Sequence, residues 1–245
     1  MKIGPQLRGC GFFRIMEEYF SRSRCLFGDA AMEKLSRSCV AVVGIGGVGS
    51  WCAEALVRTG VGNIIIMDDD IIAPSNVNRQ CPATAATVSL IKVEAMAKRL
   101  REIAPAAKVV PIAARFNTMR DLLPGNGEMT PDIIVDAIDS VRSKAELVLG
   151  AHERGIPVIS SLGAALRFDP CKVKVGKFSD IRGEALARAL RRQFESLHRY
   201  PKGSYRCVYS TEPAQKREER GSIMTVTATF GMVLADFAIK HIVDR

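Results

Sequence analysis

A chain of 245 residues, 47% apolar and 25% charged, can bury a full core without staples and is not a disordered or fibrous protein. Its seven cysteines, at positions 10, 25, 39, 52, 81, 171 and 207, never form a C-x-x-C pair, which argues against a structural zinc site and fits a reducing compartment. The formal charge of +9 is unevenly spread, and that asymmetry suits a polyanionic partner such as nucleic acid, although a solvated basic face is the plainer alternative.

Residues 1–38 read as an N-terminal helical arm with a net +3. No apolar run of signal-peptide length precedes Arg14, so a cytoplasmic protein is expected. From Cys39 short apolar runs alternate with amphipathic stretches, the pattern of βα units and a mostly parallel sheet. Val40–Val43 is the first expected strand, followed by a helix over 50–59 ended by Gly60, and by a second strand at Ile64–Met67. Leu90, Val93, Met96, Ala97 and Leu100 share one helical face, and Pro105 closes that helix. Val109–Ala114 and Ile133–Ile138 are further strands. Ser140 is placed to cap a helix running to Gly155, and Ile156–Ser160 is a strand again.

A parallel-sheet core is thus expected over 39–163, with a mixed-sheet extension over 164–245 in the same domain. Leu166–Phe168 and Val173–Phe178 read as a hairpin around Asp169-Pro170. A basic amphipathic helix covers about 183–198, and residues 171–220 carry 13 basic against 6 acidic side chains, a net +7. Arg188, Arg191 and Arg192 on that helix are the candidate contacts to a polyanionic partner. The polar 199–221 stretch reads as a loop over the active face with a short strand near 207–210. The apolar stretch 223–243 is interrupted by Asp236, Lys240 and His241, which favours a core or interface helix over a membrane span. The expected fold is therefore α/β: a Rossmann-like, mostly parallel sheet extended by antiparallel strands, with helices on both faces.

The chemistry concentrates in the core. Gly44-Ile-Gly46-Gly47-Val-Gly49 follows a buried strand and opens a helix, where the backbone can approach a phosphate and the helix N-terminus offers free N–H groups. Asp68 ends the second strand, where an acid can accept from ribose hydroxyls. This much fits dinucleotides and mononucleotides alike. The ordered set Asp68-Asp69-Asp70, Asn76-Val-Asn78-Arg79-Gln80, Lys92 and Asp136-Ala-Ile-Asp139-Ser140 separates them. Arg79 and Lys92 can spread the charge of a triphosphate, and Asp139 can hold Mg2+. Taken singly, Lys92 reads as a helix-surface lysine and Asn76 or Asn78 as a turn former; together and in this order they read as a site for ATP.

GIGGVGSW, MDDD, SNVNRQ, the Lys92-Val93-Glu94 segment and DAIDS resemble the ordered signature of the ThiF/MoeB and ubiquitin-activating superfamily. The resemblance implies that the glycine loop, Asp68 and Asp70 hold the nucleotide with Asn78, Gln80 and Ser140 alongside. It further implies that Asn76, Arg79 and Lys92 meet the phosphates and that Asp139 serves magnesium. It also implies that Arg22, in Phe20-Ser-Arg22-Ser, reaches the site of a neighbouring subunit in a homodimer. Sulfur-carrier-activating members usually carry two C-x-x-C zinc pairs, absent from this sequence, so no zinc is expected.

Gly163-Ala-Ala-Leu, Phe168-Asp-Pro, Arg206-Cys207-Val-Tyr-Ser-Thr-Glu212 and Val226-Thr-Ala-Thr-Phe-Gly231 are similar to the tRNA threonylcarbamoyladenosine dehydratase branch. Two departures stand out: a short stretch between Glu212 and Gly221, where fuller members carry an insertion, and Gly163-Ala-Ala in place of a more glycine-rich run. The branch implies adenylation of a threonyl carboxylate on tRNA and intramolecular cyclisation, which needs no protein nucleophile. A cysteine desulfurase or sulfur-acceptor system is a further partner that the resemblance raises. Cys207 is then a candidate acyl or sulfur acceptor, against its reading as a small apolar strand residue; the other six cysteines read as structural. Two alternatives remain: activation of the C-terminal glycine of a ubiquitin-like or sulfur-carrier protein, and a non-catalytic nucleotide-binding module.

Overall fold

The computed structural model describes residues 18–123, 129–201, 203 and 205–245; residues 1–17 of the expected arm lie outside them. Helices α1 (Ser21–Phe27) and α2 (Asp29–Arg37) lead into β1 (Cys39–Val43), whose five residues are all buried. A continuous apolar run of this kind, with Val40, Val42 and Val43, suits a central strand covered on both faces. Next come α3 (Gly49–Thr59), β2 (Asn63–Met67), α4 (Lys92–Ile103), β3 (Lys108–Ile112), α5 (Met119–Leu122) and β4 (Ile133–Asp136). The chain continues through α6 (Val141–Glu153), β5 (Val158–Ser161), β6 (Val173–Lys177), α7 (Ala185–Ser196), β7 (Arg206–Ser210) and α8 (Met224–Val243). Gly60 ends α3 in the left-handed region, at φ 112°, a conformation that costs glycine little.

The seven strands form one sheet in the order β3-β2-β1-β4-β5-β7-β6. All neighbours run parallel except β6 and β7. Alternate strand residues divide between the two faces. Val40, Val42, Ile64, Ile66 and Val135 join Leu56, Met96 and Phe230 of α3, α4 and α8. Ala41, Val43, Ile65 and Ile134 join Met119, Leu122 and Leu147 of α5 and α6. A third cluster packs α6 and α7 against Tyr205 and Cys207. The order reverses between β1 and β4, and ligands of open α/β sheets bind at the C-terminal strand edge of such a switch point.

The last helix is long and apolar enough to cross a membrane, yet Val226, Phe230, Leu234 and Ala238 are buried in the core. Gly231 lets α8 approach α3 closely, since a Cβ there would lie 2.5 Å from the Val48 carbonyl oxygen. The core-helix reading therefore describes this fold.

Three local expectations need correction. Leu166–Phe168 is not a strand: Leu166 takes a left-handed φ of 62°, which breaks extended pairing, and β6 pairs instead with β7, far along the chain. Leu90 is not on the α4 face; it is half exposed and precedes the helix. Ser140 holds the N-cap position of α6, but its side chain makes no capping hydrogen bond.

Candidate active site

The loop after β1 is shaped by contacts that only glycine permits at two positions. At Gly44, φ is 92° and a Cβ would sit 2.6 Å from the Ala137 carbonyl oxygen, so the β4–α6 loop presses directly on this turn. At Gly49 a Cβ would fall 1.8 Å from the Gly44 carbonyl oxygen. Gly46 differs, because nothing comes nearer than the Gln80 side-chain nitrogen at 4.0 Å. The loop is packed beneath and open above, next to the first turn of α3, where the Ser50 and Cys52 N–H groups donate to the Gly46 and Val48 carbonyls at 3.2 and 3.1 Å.

Arg79 reaches over this opening. Its Cγ would lie 3.1 Å from a Cβ on Gly47, and its Nη1 donates to the Ser75 carbonyl and to Asn78 Oδ1, each at 2.9 Å. The indole Nε1 of Trp51 donates to the Arg79 carbonyl at 2.8 Å, tying the 74–80 turn to α3. Asn76 Oδ1 accepts from Ala73 N–H, which shapes that turn, and Asn78 Nδ2 donates to the Ser222 carbonyl. Gln80 is buried, and its Oε1 has no hydrogen-bond partner. An unpaired polar atom beside an open backbone cradle fits a site built for a polar ligand.

On the other side, Asp68 Oδ2 accepts from Ile45 N–H at 2.7 Å, which fixes the glycine loop to the end of β2. The Lys92 side chain is buried at 2% exposure, with Nζ 2.9 Å from Asp68 and 2.8 Å from Asp70. Lys92 is therefore no ordinary surface lysine. Asp68, Asp69 and Asp70 gather their carboxylates within 4.8 Å of one another, but Lys92 already supplies a cation to two of them. Asp139 is exposed on the loop after β4, two residues beyond the Ala137 that touches Gly44.

A second charged group went unassigned in the sequence. Asp136 and Lys144 are fully buried and paired at 2.7 Å. Ser160 Oγ donates to Asp136 at 2.5 Å, Tyr205 donates to Ser160 at 2.6 Å, and Asp136 Oδ1 accepts from Ile138 N–H at 3.1 Å. This network supports the DAIDS loop from below. Sequence spacing gave no way to distinguish Lys144 from the exposed Arg142 on the same helix.

Other expectations fare differently. Cys207 is fully buried, and burial pushes its thiol up to about 12, so no thiolate is available at neutral pH. As a nucleophile it is replaced by the strand-residue reading. Cys25 and Cys171 are exposed rather than structural. Arg191 is committed to the fold: its Nη2 donates to the Phe178 and Ile181 carbonyls at 2.8 and 2.5 Å, and its guanidinium lies 4.9 Å over the Phe178 ring. Arg188 and Arg192 are exposed, as are Lys172, Lys174 and Lys177 along the edge, where lysines also block strand pairing. Arg22 is exposed on α1 and lines a groove with Ala55, Thr59, Met232 and Asp236.

A strand, glycine loop and helix at the switch point, with a buried lysine and acids beside it, define a nucleotide-binding protein of the doubly wound α/β class. The chain belongs to the ThiF family, whose model matches residues 20–245. It is 33% identical to the tRNA threonylcarbamoyladenosine dehydratase of Escherichia coli over 92% of this chain and 94% of that protein. It is 41% identical to tRNA threonylcarbamoyladenosine dehydratase 2 of Saccharomyces cerevisiae over 69% of this chain, but spans only 38% of that longer protein. The crystal structure of the E. coli enzyme, TcdA, in complex with ATP superposes with a TM-score of 0.85 at 34% identity, covering 92% of this chain and 94% of that one.

Proposed function

We propose that this chain is an ATP-dependent tRNA threonylcarbamoyladenosine dehydratase. The observation that carries the reading is the open cradle at Gly46, flanked by Arg79 and by the buried Lys92 between Asp68 and Asp70. A triphosphate suits it: the loop opens at the positive N-terminal end of α3, Arg79 already lies across it, and Lys92 can exchange the exposed Asp70 carboxylate for phosphate oxygens. Asp68 and Gln80 then face the sugar and phosphates, with Asn76, Asn78 and Ser140 at the rim. Asp139, exposed on the loop that touches Gly44, would hold Mg2+, which would neutralise triphosphate charge.

In the reaction a threonyl carboxylate oxygen attacks the α-phosphorus of ATP, and the bond to the bridging oxygen of pyrophosphate breaks. A carboxylate is a poor electrophile; the acyl-adenylate has AMP as a good leaving group. A urea nitrogen of the same nucleoside attacks the activated carbonyl carbon, closes a five-membered ring, loses its proton to solvent and expels AMP. Proximity within the substrate replaces a protein nucleophile, in keeping with the burial of Cys207. The same burial leaves Cys207 no route to accept sulfur from a partner.

The setting is the cytoplasm and the working form a homodimer. Within one chain Arg22 sits beside Thr59, and Thr59 lies about 15 Å along α3 from Gly49 at 1.5 Å per residue. Its groove thus lies well away from its own loop, which is consistent with a role in a partner's site. The test of the reading is isotope exchange between pyrophosphate and ATP. Exchange should depend on tRNA bearing threonylcarbamoyladenosine, be absent with tRNA lacking it, and be lost in Asp139→Ala with the fold intact. Exchange driven instead by a carrier protein ending in glycine would replace this function with the second alternative.

A further inference from the structure

The loop between β5 and β6 leaves the sheet at the same edge as the glycine loop, because β5 runs parallel to β4 and β1. It is held from several sides. Arg167, 5% exposed, turns inward: its Nε donates to the Gly163 carbonyl at 2.9 Å, and its guanidinium lies 3.7 Å from Glu184. Leu166 N–H donates to the Gly221 carbonyl, and Gln215 N–H to the Leu166 carbonyl. The Glu212 carboxylate accepts from Phe168 N–H at 3.0 Å and from Asp169 N–H at 2.9 Å. Leu166 is held at a left-handed φ of 62°, a conformation unfavourable for leucine that the surrounding bonds must maintain.

The product of this bracing is Phe168, 58% exposed. Single exposed apolar side chains are ordinary. Phe168 differs in being an aromatic ring presented to solvent by a fixed backbone, with its own N–H clamped by Glu212 and its neighbour Arg167 turned inward. The segment that braces it, ending at Ser222, also meets Asn78 beside the phosphate cradle. Exposed Lys172 follows four residues later, at the start of the +7 region.

We propose that Phe168 is the stacking platform for the purine that carries the threonyl group, and hence a specificity residue for the tRNA. The inference rests on the function proposed above. Strands lie about 4.8 Å apart, and Phe168 is clamped by Glu212 just past β7, three strands from β1, so its backbone stands roughly 14 Å from the β1 loop. An acyl chain of four bonds of about 1.4 Å spans roughly 5 Å, and the ring and side chain cover the remainder. A base whose carboxylate lies at the α-phosphate therefore falls over the β5–β6 loop. Unpaired bases of single-stranded RNA loops are read by such stacking on aromatic side chains.

The experiment is steady-state cyclisation of threonylcarbamoyladenosine tRNA by wild type, Phe168→Ala and Phe168→Trp. Phe168→Ala should raise the KM for tRNA about 5- to 150-fold, the range for one lost stack, with the KM for ATP and the melting temperature unchanged. Phe168→Trp should restore the KM for tRNA to within about threefold. If wild type cyclises tRNA and Phe168→Ala does so with the same KM, the stacking role is overturned while the proposed function stands. A shift in oligomeric state with no change in tRNA affinity would also overturn it, in favour of an apolar contact between copies. If wild type fails to cyclise tRNA, the function falls and the stacking role with it.

Discussion

Glu54 stands on α3 just beyond the glycine loop, with Arg58 and Arg99 within 2.8 and 2.5 Å and the Cys81 thiol donating to it. Burial alone would raise its carboxyl, but hydrogen bonds from Arg99, Cys81 and Arg58 outweigh this and bring it down from 4.5 to about 2. A carboxyl depressed in the folded state stabilises above its unfolded value, and that contribution is lost as pH falls from about 4.5 towards 2. The urea midpoint should therefore drop between pH 5 and 3, and Glu54→Gln should flatten the drop; equal slopes would remove Glu54 from the acid response. The buried Asp136–Lys144 pair makes a different demand. Lys144→Met leaves a carboxylate uncompensated and should cost about 3–5 kcal/mol in denaturant unfolding, and the double variant with Asp136→Asn should recover part of it. A double variant no more stable than the single one would contradict the pairing. At this scale glycines and Lys92 were legible because their motif order carries chemistry. Lys144 was not, because burial arises from the crossing of β4, β5 and β7, which no local pattern encodes.

Among the elements, the buried strands β1, β2 and β4 were readable from apolar runs bounded by turns, and α7 from its amphipathic period. The β6–β7 pair was not, because its partners are separated by α7 and by the segment before Arg206. A short apolar run at 166–168 next to Asp169-Pro170 offered a nearer false partner. The same limit affects the three arginines of α7. Periodicity placed them on one helix but could not show that Arg191 closes over the 178–181 turn. Arg191→Met should destabilise the fold by about 2–4 kcal/mol, since two charged-donor hydrogen bonds are lost, with little direct effect on tRNA. Arg188→Glu with Arg192→Glu should leave melting unchanged, weaken tRNA binding and reduce the log–log salt slope by about 0.7–0.9 per lost phosphate contact. Filter binding over a salt series checks this; unchanged affinity at every salt concentration would reduce the basic helix to a solvated face.

At the scale of the whole molecule, the basic region and the Arg22 groove are where the tRNA and homodimer proposals are tested. The net +7 of residues 171–220 lies on the β6–β7 and α7 side of the sheet, while Arg22 faces outward on the α1 side. If Arg22 serves a partner, mixing Arg22→Ala with Lys92→Ala chains places both lesions in one site of a mixed dimer and frees the other. Activity should recover to about a quarter of wild type when the two are mixed equally and half of the dimers are mixed; no recovery would confine Arg22 to its own chain. The central claim is tested most directly by the product itself. Purified protein, ATP, Mg2+ and tRNA bearing threonylcarbamoyladenosine are incubated, the tRNA is digested under mild conditions, and the nucleosides are weighed by mass spectrometry. The account predicts a nucleoside lighter by one water, formed with AMP and pyrophosphate in equal amounts and absent without ATP. An unchanged threonylcarbamoyladenosine peak, from protein that still binds ATP, would contradict it.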